Sequence, residues 1–249
     1  MPQGNPRSFL RRWAVRAIAV CAAFLLALAV YIFPLPDVRV LKRHNPDTTA
    51  YIELRKAQAA RAGKKLKLRQ QWVPVGAISE HLVHAVLIAE DEAFYRHHGV
   101  DWVQLKGAAL EDIKRRRLAL GGSTITQQTA RNLYLSPSKN PFRKAKELLI
   151  ARRLERELGK RRILELYLNI AEWGKGIFGA EAASQFYFGK PASALTPDEA
   201  AAMAAVLPSP RRWNPSAPGR YVSMRSETIL DRMRRSGYLQ DDSSETDSD

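Results

Sequence analysis

The sequence predicts a mostly α-helical protein preceded by one N-terminal transmembrane helix, and three observations carry that expectation. Residues Ala17 to Phe33 form 17 consecutive apolar residues, bounded by arginines on one side and prolines on the other. From Ser79 onward, apolar residues recur at helical spacing between short polar breaks. No convincing run alternates apolar and polar residues as a half-buried strand would.

Arg7, Arg11, Arg12 and Arg16 precede the apolar run, and Pro34 and Pro36 follow it. A helix over 13–33, rising ~1.5 Å per residue, approaches the ~30 Å hydrocarbon thickness of a bilayer if Arg16 snorkels to the headgroups. Ala27-Leu28-Ala29 resembles a signal-peptide cleavage site. The run is longer than a usual signal core, however, and continues through Val30-Tyr31-Ile32-Phe33, so an uncleaved anchor is expected. By the positive-inside rule residues 1–12 face the cytoplasm, and the chain after about Pro34 is expected on the other side of the membrane, outside the cytoplasm.

Residues 34–71 read as a membrane-proximal connector. Within it, Asp47 to Lys65 is polar and basic, with Arg55, Lys56, Arg61, Lys64 and Lys65, and predicts a solvated helix. Residues 72–239 are expected to form one folded unit. In it, Thr196-Pro197-Asp198-Glu199 is a capping box opening an alanine-rich helix to about Leu207, and a last helix runs from about Tyr221 to Arg235 with Gly237 as its stop. The final ten residues, QDDSSETDSD, carry five acids and no apolar side chain, which predicts disorder.

The 249 residues include 40 Lys+Arg against 25 Asp+Glu, a formal net charge of +15. That excess attracts nucleic acid, an anionic membrane surface or a phosphorylated substrate equally well. Cys21 is the only cysteine, so an intrachain disulfide framework is excluded.

Two glutamates stand where helical phase disfavours charge. In the predicted helix from Ile78 to about Glu92, Val83, Leu87, Glu90 and, if the helix persists, Phe94 share one face. Glu90 also lies near a helix C-terminus and beside Asp91 and Glu92. All of these raise a carboxyl pKa and suit a group that must accept a proton. Glu92 itself reads as solvent-facing. In the helix from about Phe142 to Leu158, Glu147, Ala151, Leu154 and Leu158 repeat the pattern, with Arg143 and Lys144 one turn earlier to pair with Glu147. A structural salt bridge and a catalytic acid are both open for Glu147. Together the two carboxylates suggest a glycosyl-transfer site.

Gly121-Gly122-Ser123-Thr124 opens a helix that continues through Gln127, Gln128 and Arg131 to about Tyr134. Free amides at such a start suit an anion, although the phosphate-loop spacing is missing and a simple N-cap is the alternative. Arg131, Lys139, Arg143 and Lys144 then form a cation set able to hold a pyrophosphate. His81 and His84 lie three residues apart but lack the further ligands of a metal site.

In order, EDEAFYRHHG (90–99), GGSTITQQ (121–128), RKAKE (143–147), KRRILELYLN (160–169) and GIFGAEAASQFYFGK (176–190) resemble the five motifs of the bacterial peptidoglycan glycosyltransferase family. The likeness covers about residues 72 to 215 and looks closest to the monofunctional biosynthetic members. It implies a lysozyme-like helical head lobe with a smaller jaw lobe near the membrane. It also implies a reaction in which the 4-hydroxyl of one lipid-linked disaccharide-peptide attacks the anomeric carbon of another, with inversion and release of polyprenyl pyrophosphate.

Carried over by position, the resemblance makes Glu90 the base, supported by Asp91, Phe94 and His97. Thr124, Gln127 and Gln128 line the cleft, and Arg131 and Lys139 contact the donor pyrophosphate. Glu147, with Arg143 and Lys144, assists the leaving group directly or through a divalent cation, magnesium or manganese. Lys160, Glu165, Tyr167, Asn169, Gly179 and Glu181 shape the site. Many members carry Lys where this chain has Arg131, which keeps charge but changes contact geometry. The implied partners are lipid II, the growing lipid-linked glycan strand, the membrane, and other cell-wall synthesis and division proteins. No cofactor is required by the sequence. A lytic muramidase is the nearest alternative. A membrane-tethered nucleic-acid binder leaves both glutamates unexplained and faces the wrong compartment.

Overall fold

The computed structural model describes residues 6–107, 122–138 and 140–239, with side chains from residue 12 onward. Residues 240–249, where disorder was expected, and Lys139 lie outside the described residues. Helix α1 spans Pro6–Ile32 and contains a 21-residue apolar window, Arg12–Ile32, none of it buried by the rest of the protein. It starts about three turns before the apolar run, because proline suits a first helical turn and the arginines after it are good helix formers.

After α1 the chain makes a 3₁₀ turn, Val38–Lys42, capped by the Asp37 carboxylate, which accepts from the Arg39 amide. Helix α2, Ala50–Arg61, follows with Thr49 as N-cap. The connector was expected to be solvated, and here the structure corrects the sequence. Ile52 is 1% exposed, and α2 lies against the helix over Ile125–Tyr134. Arg55 reaches across to Glu172, donating from Nε at 2.9 Å and Nη2 at 2.7 Å. One apolar anchor and one buried ion pair dock a helix whose composition is otherwise that of a solvated one.

Further helices of the body are α3 Glu80–Glu90, α4 Ile125–Tyr134, α5 Pro141–Glu157, α6 Lys160–Ile170, α7 Ala180–Phe188, α8 Pro197–Val206 and α9 Arg220–Arg235. Helix α8 opens with the expected capping box at Thr196 and Glu199. Its alanines are buried all round, because small side chains let α3 and α9 pack on both sides of it. Helix α4 packs in the same way between α5 and α6.

A three-stranded sheet also forms, in the order β1 (Arg69–Gln70), β3 (Ile177–Phe178), β2 (Glu172–Gly174). β1 runs parallel and β2 antiparallel to β3, with an irregularity between Glu172 and Gly174. Strands of two or three residues are too short to show alternation, which is why the sequence pattern missed them. Gly179 closes the sheet onto α6: its φ is +85°, and a Cβ there would meet the Asn169 carbonyl oxygen at 2.9 Å.

Candidate active site

Glu90 is the last residue of α3, which stops two residues earlier than expected because Asp91 leaves helical geometry at φ −165°. Phe94 therefore does not continue the helical stripe. It is still fully buried, carried there by the loop that follows. The Glu90 carboxylate accepts from Gln128 Nε2 at 2.8 Å. Burial pushes its pKa up, while the Gln128 hydrogen bond, Arg225 and Arg131 pull it down and Asp91 adds to the rise. Glu92 takes no part: it forms an exposed pair with Arg232 at 2.7 Å.

Arg225, on α9, lies 135 positions from Glu90 in the chain and escaped the sequence reading. Its guanidinium donates to the Ala89 carbonyl at 3.5 Å, at the C-terminus of α3. Its only sequence signal is a cation on the buried side of the last helix, one position before buried Ser226.

Asp91 and His97 build the frame beneath the base. His97 Nε2 lies 2.9 and 3.0 Å from the two Asp91 oxygens, and the Gly99 amide donates to Nδ1 at 3.1 Å. With Nδ1 accepting, Nε2 carries the proton and donates to the carboxylate. Asp91 also accepts from the Ile125 amide at 2.9 Å. The helix start that the glycine motif was expected to offer to an external anion thus receives the protein's own carboxylate. Thr124, fully buried, caps the same helix by accepting from the Gln127 amide, and donates to the Gly99 carbonyl at 2.7 Å.

On the far side of the motif, Glu147 is 1% exposed and each of its carboxylate oxygens accepts from a cation, Arg143 on one and Lys144 on the other. Arg143 also donates to the Ser138 carbonyl at 2.6 Å. Lys144 donates to Ser123 Oγ at 2.9 Å and to Gln127 Oε1 at 2.8 Å. Gln128 touches the Ser123 carbonyl at 3.4 Å as well as Glu90. A continuous polar chain therefore runs Glu90, Gln128, Ser123, Lys144, Glu147, joining the two glutamates across the start of α4. Arg131 approaches Gln128 Oε1 at 3.5 Å.

The remaining predicted residues hold the walls. Lys160 pairs with Glu155 at 2.6 Å and sits 4.5 Å from the Phe94 ring centroid. Glu165 and Asn169 accept from the Val75 and Val73 amides, tying the chain after β1 to α6. Glu181 accepts from the Ala192 amide at 2.7 Å. Tyr167 is 1% exposed, and burial first and the Glu90 charge second keep its phenol protonated.

A family model described as Transglycosylase matches residues 57–234. The chain belongs to the transglycosylase family. It is 45% identical over 224 residues to a biosynthetic peptidoglycan transglycosylase of Azoarcus sp. (strain BH72), covering 90% of this chain and 96% of that relative. A relative of the same name from Laribacter hongkongensis (strain HLHK9) is 40% identical over 222 residues, 89% of this chain and 96% of its own. One from Aromatoleum aromaticum is 46% identical over 202 residues, 81% and 87% of the two chains. In this transglycosylase no group of three or more His, Cys, Asp or Glu residues forms a metal-binding cluster among the described residues. Nor does Glu147 fit a metal ligand, since both its oxygens already accept from cations.

Proposed function

We propose that this peptidoglycan glycosyltransferase of cell-wall synthesis polymerises lipid II into β-1,4-linked glycan strands at the outer face of the inner membrane, its N-terminus cytoplasmic. The observation that supports this reading is the polar chain joining a base-like carboxylate to a cation-saturated one. Glu90, partly buried with its pKa raised, takes the proton of the acceptor 4-hydroxyl as that oxygen bonds to the donor's anomeric carbon. The bond from that carbon to the pyrophosphate oxygen breaks, and the electron pair leaves with the polyprenyl pyrophosphate.

Arg143, Lys144 and Arg131 neutralise the departing charge in a site already organised to receive it. Glu147 holds Arg143 and Lys144 in place. Incubation of the purified chain with labelled lipid II should give long glycan strands and free polyprenyl pyrophosphate. Shortening of preformed strands with no polymerisation would instead support a lytic enzyme.

A further inference from the structure

The Glu90 carboxylate has neighbours in two directions. Through Gln128 the polar chain runs to Lys144 and Glu147, where the donor's pyrophosphate departs in the function proposed above. In the other direction, Arg225 of α9 donates to the Ala89 carbonyl at 3.5 Å, and its charge acts on Glu90. Transfer joins a donor to an acceptor, and with the donor on the Gln128 side the Arg225 side is left for the acceptor.

The segment over 208–226 lies on that side and outside the five sequence motifs. It carries four arginines, Arg211, Arg212, Arg220 and Arg225, and no acid. Tyr221 precedes Arg225 by about one turn of α9, ~5.4 Å, on the same face. Its ring stacks on Trp213, with centroids 4.9 Å apart and planes 18° apart. Arg212 lies over Trp213, 4.8 Å from the ring centroid. Trp213 packs against the core, and the turn after it is held by Asn214 Oδ1, which accepts from the Ser216 amide at 2.9 Å. Tyr221 is nevertheless 42% exposed, and Arg212 and Arg220 are exposed at the two ends of the stack.

A tyrosine fixed in this way offers a flat apolar face with a polar tip and loses little conformational freedom on binding. The C–H face of a sugar ring lies flat on such a plate, and exposed guanidinium groups suit carboxylates. A disaccharide-peptide carries both kinds of group. Resting on the reading of this chain as a lipid II polymerase, we infer that Tyr221, backed by Trp213, holds a sugar ring of the acceptor, and that Arg212 and Arg220 hold carboxylates of its peptide. The sugar whose 4-hydroxyl meets Glu90 lies beside Arg225. The peptide-bearing sugar is one ring further along, a distance comparable with the helical turn from Arg225 to Tyr221. These contacts are the same before and during transfer, so they set the affinity and orientation of the acceptor and not the bond-making step.

The test separates acceptor from donor. A lipid II epimeric at its 4-hydroxyl can donate but presents that hydroxyl wrongly for attack, so coupled product capped by the epimer reports ordinary lipid II acting as acceptor. With the purified full chain, Tyr221→Ala should raise the KM for the lipid II acceptor about tenfold and leave the KM for the epimer donor as in wild type. Tyr221→Phe keeps the plate and should restore the acceptor KM. Arg212→Gln combined with Arg220→Gln should abolish the preference for lipid II over the same acceptor stripped of its peptide. Equal rises in both KM values for Tyr221→Ala, or no rise in either, would overturn the inference. Should Tyr221→Ala melt below wild type, the arginine pair tests the same subsite from exposed positions, and an unchanged peptide preference there would sink the idea. A wild type that makes no coupled product would overturn the polymerase reading and this inference with it, whereas a working polymerase with an unmoved acceptor KM removes the inference alone.

Discussion

At the scale of residues, the decisive group is a carboxylate held where it is uncomfortable as an anion. Burial raises the Glu90 pKa, so the folded state binds its proton more tightly than the unfolded chain does. Stability from this group is fully present below the ordinary carboxylate pKa and is lost as pH rises through the raised value. Glu90→Gln keeps an acceptor for Gln128 and removes the charge. It should cut polymerisation by about 10²–10⁴-fold, the usual worth of a general base. Its melting temperature should gain on wild type as pH rises from about 4 to about 8. Equal pH dependence of melting in the two proteins would contradict the burial argument. Arg225 opposes that rise from the C-terminus of α3. Arg225→Gln should therefore move the acid limb of the pH–rate profile upward, and Arg225→Lys should return it toward wild type. An unmoved limb would leave Arg225 a packing residue only. The raised Glu90 pKa was legible locally, from its helical face, its helix end and the acids beside it; the opposing Arg225 was not, because a cation 135 residues away leaves no mark on that stretch of chain.

At the scale of elements, regular helices were readable and their ends and contacts were not. The stripe Glu147, Ala151, Leu154, Leu158 is buried as its period required, from 0 to 5% exposed, because α5 is long enough for phase to show. The start of α4 was legible as a capped helix. What fills it was not, because Asp91 arrives from a loop 34 residues earlier. The α5 cluster carries its own prediction. Glu147→Ala leaves Arg143 buried without its carboxylate, so unfolding free energy should fall by about 3–5 kcal/mol, as for other broken buried pairs. Glu147→Ala combined with Arg143→Met returns the cluster to its wild-type net charge and removes the stranded guanidinium, and should recover most of that loss in denaturant titrations, while polymerisation stays low. Full recovery of activity in the double variant would show the cluster to be structural and remove it from leaving-group chemistry.

At the scale of the whole molecule, the connector decides how the catalytic body stands on its anchor, and a buried ion pair, Arg55 with Glu172, ties the connector to the body. The Glu172 side chain is 2% exposed and that of Arg55 14% exposed. Glu172 Oε1 finds no protein partner among the described residues, so Arg55 is the main compensation for its burial. Composition alone made α2 look like a solvated helix. The pairing partner lies 117 residues on, in a strand too short to announce itself. Arg55→Met should therefore destabilise by about 3–5 kcal/mol, which at roughly 2–4 °C per kcal/mol lowers the melting temperature by on the order of 10 °C. Adding Glu172→Gln removes the stranded charge and should return most of that shift. The double variant still lacks the tie between α2 and β2, so a second measurement separates orientation from stability. With melting restored, a persistent rise in KM for lipid-linked substrate in vesicles, and little change in detergent, would show that the pair sets the body's stance on the membrane. Wild-type kinetics in both media would confine it to stability.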